Sequence, residues 1–242
     1  MSDFSGDDVH QLLKTDDRGF LDSMLSDIAL REAKEKRDLT LDSIASLFGS
    51  TPVLSILSFL PQAVRRFGSL RDVQYLKKFC SFLAELDGLS YIDRKNFVDR
   101  YNNNEEERKK TDEAVLLILE KYNDYNKASL MGVFLKAWVM ERIGKSTFFE
   151  LSFSIDNCLL FDIRILVEYM KSRKESGQYN ISKIYGASKS RLTGAGFIKF
   201  SNAVSGGEAP SELAQTLYDV VSGEIERLEI QSGISSGIPP TT

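Results

Sequence analysis

LRDVQYLKKFCSFLAELDGLSYIDRKNF, residues 70–97, is the stretch whose reading decides the fold class. Leu70, Val73, Leu76, Phe79, Cys80, Leu83 and Leu86 recur at steps of three and four. That spacing lines one side of a helix with apolar groups and leaves Lys77, Lys78 and Glu85 off the stripe. Asp87-Gly88 is the expected stop, because glycine adopts the left-handed backbone that closes helices. Ser90 then precedes Asp93 by three residues, the spacing of a capping box, in which the hydroxyl accepts the Asp93 amide and the carboxylate returns to the Ser90 amide. A second helix is predicted from there towards Asn102.

The same grammar continues outward. Asn102, Asn103 and Asn104 form a polar stop, and Glu105, Glu106 and Glu107 suit the start of the next helix, where the macrodipole favours negative charge. Residues 125–143 are expected to be helical, with Leu130, Phe134, Trp138 and Ile143 facing the core. Thr147 and Glu150 repeat the capping-box spacing ahead of Leu151, Phe153 and Ile155, so another helix is expected near Thr147. One more is predicted over residues 161–174, closed by Gly177. Phe82-Leu83 stands ahead of Phe97 at the same intervals as Phe134-Leu135 stands ahead of Phe149. This suggests a repeated helical hairpin.

Upstream lies SIASLFGSTPVLSILSFLPQAV, residues 43–64, which is uncharged although 27% of the chain is charged. Only 12 of its 22 residues are apolar, and a spanning helix needs about 20 in succession. Gly49, Pro52 and Pro61 break it further, since proline removes a helical hydrogen bond and clashes with the preceding turn. Between the prolines, Val53, Leu54, Ile56, Leu57, Phe59 and Leu60 surround a short helix almost completely, and such a helix must be buried in something. The preferred reading places it in the core of a helical bundle. The competing reading makes it an oligomer contact or a peripheral membrane contact, with Arg65, Arg66, Arg71, Lys77 and Lys78 supplying positive charge for anionic lipid.

Composition bounds the function. With 242 residues, 42% of them hydrophobic, the chain is long enough to bury a core without staples. A net charge of −4 argues against a generally basic surface tracking nucleic acid. Asp3, Asp7 and Asp8 stand where a secretory signal would carry positive charge, so cytoplasmic residence is expected, with membrane association under the lipid reading of residues 43–64. Cys80 and Cys158 sit among apolar neighbours and read as buried thiols. His10 is the single histidine, which excludes a His-rich metal site or a histidine-based triad inside the folded body. Gly-rich phosphate loops, GxSxG and CxxC are absent. No cofactor and no small-molecule substrate is indicated. Trp138, Tyr122 and Tyr125 fall at helical spacing and are expected in the core.

Two clusters remain as candidate sites. Glu85, Asp87 and Asp93 surround a glycine turn, and oxygen ligands so spaced could hold a divalent ion; the preferred alternative is the helix stop and capping box already described. Lys183, Lys189, Arg191 and Lys199 lie in a Gly- and Ser-richer segment after Gly177. There Leu192-x-x-x-Gly196-Phe197-Ile198, a β-prone run over residues 197–200 and a last helix from about Ser211 look like the end of a winged helix. The leucine would close the recognition helix and Gly-Phe-Ile would begin the wing. Lys189 and Arg191 would then contact DNA, but winged helices also serve as protein-binding modules, and the acidic net charge favours the latter.

ELDGLSYIDRKNF resembles the acidic D-G turn of tellurite-resistance TerB-like domains, which implies an all-helical fold and, through Glu85, Asp87 and Asp93, a divalent ion. Lys95 and Asn96 stand where that family carries further acids, which puts the metal in doubt. The wider order also resembles bacterial proteins of the abortive-infection alpha type. It runs from a proline-broken apolar stretch through an amphipathic helix with KFCSFL and Phe-Leu hairpins to L-x-x-x-G-F-I. That likeness implies a role in phage defence. The expected protein is therefore mainly α, a helical bundle of stacked helical hairpins with a small C-terminal winged-helix-like module. Its expected parts are an N-terminal helical arm over 1–38, the TerB-like bundle over 39–177, the winged-helix-like module over 178–232 and a disordered tail over 233–242. The expected function is non-enzymatic, through contacts with a protein partner or a second copy in a homo-oligomer. A DNA-binding regulator and a membrane-associated effector are the alternatives.

Overall fold

The computed structural model describes residues 70–176, 184, 186–200 and 208–222. Expectations for residues 1–69 and 223–242, and those for Gly177 and Lys183, lie outside the described residues. Of the described part, 76% is helical, with a single two-stranded sheet, so the protein is mainly α. Its contacts divide the chain into two compact units, with the boundary in the sequence between Ile143 and Gly144.

In the first unit α1 (Leu70–Ala84) is followed by α2 (Tyr91–Tyr101), α3 (Glu105–Lys121) and α4 (Tyr125–Val139). The local signals explain the starts. Ser90 caps α2 by accepting the Asp93 amide at 3.1 Å, and its hydroxyl donates to the Asp93 carboxylate at 2.6 Å. The carboxylate thus meets the serine side chain, where the sequence suggested the serine amide. Asn104 caps α3 through the Glu107 amide, and Asp124 caps α4 through the Asn126 amide. Lys109 and Lys110 return to Glu105 and Glu106 one turn back, exposed pairs that contribute little.

The centre of this unit is α4. Every residue from Lys127 to Leu135 is buried, the pattern of a helix enclosed by others. It packs chiefly along α1 and also meets α2, while α3 lies against α1. Phe79, Phe82, Leu83 and Phe134 are fully enclosed, and each such side chain contributes roughly 1.5–3 kcal/mol by leaving water. Phe97 of α2 stands edge-on to Trp138 at 5.0 Å and stacks on Tyr101 at 5.5 Å.

Glu85, expected off the stripe, is buried just past the end of α1 and accepts the Ser129 hydroxyl from α4. Beside that bond the two backbones come very close. A Cβ at Gly132 would lie 2.2 Å from the Phe82 carbonyl oxygen and 2.9 Å from the Glu85 Cβ. Lys78, expected off the stripe, and Lys136 reach helix ends. Lys78 donates to the Glu120 and Tyr122 carbonyls at 2.8 and 2.7 Å, and Lys136 to the Asp87 carbonyl at 2.9 Å. Both satisfy carbonyls that a helix leaves without partners.

The helix expected over residues 125–143 stops at Val139 because a Schellman motif ends it. The Glu141 amide bonds the Trp138 carbonyl and the Arg142 amide bonds the Ala137 carbonyl, with Glu141 in the left-handed region at φ 58°.

In the second unit α5 (Lys145–Asp156) and α6 (Leu160–Ser176) precede α7 (Gly186–Gly194), the antiparallel pair β1 (Ile198–Phe200) and β2 (Glu208–Pro210), and α8 (Glu212–Val221). α5 begins two residues before Thr147, with Gly144 at its cap and no side-chain cap bond, so the expected Thr147–Glu150 box does not form its start. Phe148, Leu151, Ser152 and Ile155 make its buried face. α7 ends in a second Schellman motif: Gly196, at φ 82°, bonds back to Thr193 and the Phe197 amide to the Leu192 carbonyl, with both side chains buried. The Phe197 carbonyl then accepts the Ser211 amide, and Ser211 caps α8. Ala214, Leu217, Tyr218 and Val221 face inward from α8, which packs against α5, α6 and β2.

Two substitutions test this account of the first unit. Alanine at position 132 would gain about 1 kcal/mol of helix propensity, yet the Phe82 backbone must move to admit its methyl group. Gly132→Ala is therefore expected to destabilise the protein by about 2 kcal/mol net, as overpacking does. Glu141→Gly relieves the left-handed backbone and is expected to stabilise by about 1 kcal/mol. Urea unfolding followed by Trp138 fluorescence reads both; a neutral Gly132→Ala would contradict the close approach.

Candidate interaction surface

The acids expected around the D-G turn are not assembled. Glu85 is buried against Ser129, Asp93 faces Ser90 across the cap of α2, and at Asp87 it is the backbone carbonyl that Lys136 holds. Among the described residues no group of three His, Cys, Asp or Glu side chains is placed to hold a metal ion. The capping reading of this segment accounts for the geometry. Cys80 and Cys158 are free, buried thiols, one in each unit. Tyr122 is buried and Trp138 half-buried, as core aromatics, while Tyr125 is 38% exposed.

The basic residues of the second unit are placed differently from a row facing solvent. Lys189 pairs with Glu208 of β2. Arg191 turns inward from α7 and grips the buried Asp162 of α6 through two bonds, Nε to Oδ2 at 2.6 Å and Nη2 to Oδ1 at 2.8 Å. Such a fork is the strong form of an arginine–carboxylate contact. Lys199 is exposed on β1, and Lys183 lies outside the described residues. The structure thus joins the two cations of α7 to acids of β2 and α6.

Asp162 was not singled out by the sequence reading, and it is the polar centre of this unit. It occupies the third position of α6, where it accepts the Leu159 amide at 2.8 Å, the return half of a capping box whose other half is missing because Leu159 has no hydroxyl. The positive end of the helix dipole favours a carboxylate there. Burial pushes the Asp162 carboxyl upward, but hydrogen bonds from Arg191, Ser188 and the Leu159 amide, with the arginine charge, outweigh burial and hold it below the usual carboxylate value. An acid in the first turn of a helix was a legible signal; its arginine partner, 29 residues away, was not.

Comparison with protein families, with curated proteins and with solved structures finds no match for the chain. Its surface must therefore be read from its own residues. Large apolar side chains stand out on the second unit: Phe153 is 50% exposed, Leu159 53% and Phe161 59%. All three belong to the elbow joining α5 to α6. Phe153 follows the half-buried Phe149 by one turn, with ring centres 6.5 Å apart. It lies off the face made by Phe148, Leu151 and Ile155, which is why it is not covered. Phe200 on β1 is 69% exposed. No helix among the described residues is long and apolar enough to cross a membrane, and residues 53–60, the sequence candidate for membrane or oligomer contact, lie outside them.

The Asp162 cluster has a pH signature. A carboxyl held low in the folded state adds stability above its unfolded value, about 4, and that stability is lost as pH falls through the folded value. The protein is expected to lose stability below about pH 4, and Asp162→Asn to remove part of that loss. Urea midpoints by circular dichroism from pH 3 to 7 check this. Arg191→Met is expected to cost more stability in wild type than in the Asp162→Asn background, since in wild type it strands a buried charge.

Proposed function

We propose that this chain is a non-enzymatic interaction protein that acts through protein–protein contacts and self-association, with the α5–α6 elbow as its contact face. One observation carries the reading. On the second unit the cations of α7 face acids of the same unit, while Phe153, Leu159 and Phe161 face water. Aromatic and large aliphatic side chains are the usual centres of binding energy at protein interfaces. In this reading residues 178–232, with α7, the paired β1 and β2 and α8, form a winged-helix-like adapter, and the helices before them supply the helical bundle. A place in bacterial phage defence follows from the sequence resemblance alone. A winged helix that reads DNA presents cations from its second helix to the groove. Here Lys189 and Arg191 are joined to Glu208 and Asp162, which favours a protein contact over DNA.

Sedimentation velocity across a hundredfold concentration range tests the proposal. Concentration-dependent association is expected, and Phe161→Asp should weaken it at least tenfold with an unchanged melting curve, because an acid in the first turn of α6 suits the helix dipole. A chain that stays monomeric throughout would falsify the self-association. In gel shifts at low salt no retardation of duplex DNA is expected. Salt-sensitive retardation, the sign of phosphate contacts, would replace this reading with the DNA-binding one.

A further inference from the structure

We draw no further inference here: the strongest candidate, the exposed Tyr91 and Ile92 at the start of α2 in the first unit, is an unpartnered apolar face, and nothing in the structure shows what covers it.

Discussion

The contact between α1 and α4 at Gly132 is the constraint on which the first unit rests. Two helices can approach to within a methyl group's width only where one offers no side chain, and the carbonyl of Phe82 occupies the space that a Cβ would take. That approach brings Ser129 to Glu85, so a carboxylate that would otherwise be costly to bury has a donor. It also sets the distance over which Lys136 of α4 reaches the end of α1, while Lys78 of α1 reaches the end of α3. The apolar groups drive the collapse, and these polar contacts select one register within it, since any slide of α1 along α4 would leave a charged or polar group buried without its partner.

In the second unit Asp162 plays the corresponding role with different chemistry. One carboxylate closes the start of α6, receives the arginine of α7 and meets Ser188. Among the side chains that face solvent on this unit are the large apolar ones of the α5–α6 elbow and Phe200. The two cations of α7 are thus held by acids of the same unit, while Phe153, Leu159 and Phe161 stay exposed. The proposed adapter role draws its support from that contrast.

How much of this was legible depended on range along the chain. Ser90 with Asp93, Asn104 ahead of three glutamates, Ser211 after Pro210 and Leu192-x-x-x-Gly196-Phe197 were all readable, because a cap or a Schellman stop involves residues within a turn of each other. The main period of the apolar residues located most helices for the same reason. The burial of Glu85 was hidden because its partner lies 44 residues on, and no periodicity reports that a hydroxyl will stand opposite. The carbonyls that Lys78 and Lys136 reach, 42 to 49 residues away, were hidden for the same reason. The early end of α4 was hidden because the left-handed position is filled by Glu141 where glycine would have announced it. Phe153 was readable in principle, since it falls on the far side of a helix whose inward face runs through Phe148, Leu151 and Ile155.

Phe197 joins three elements at once. Its amide closes α7, its side chain fills the core, and its carbonyl holds the residue that caps α8. Fraying at any one of these places removes a support from the other two. Amide protons at the end of α7, along the strand pair and at the head of α8 should then trade with solvent deuterium together, through one shared opening event.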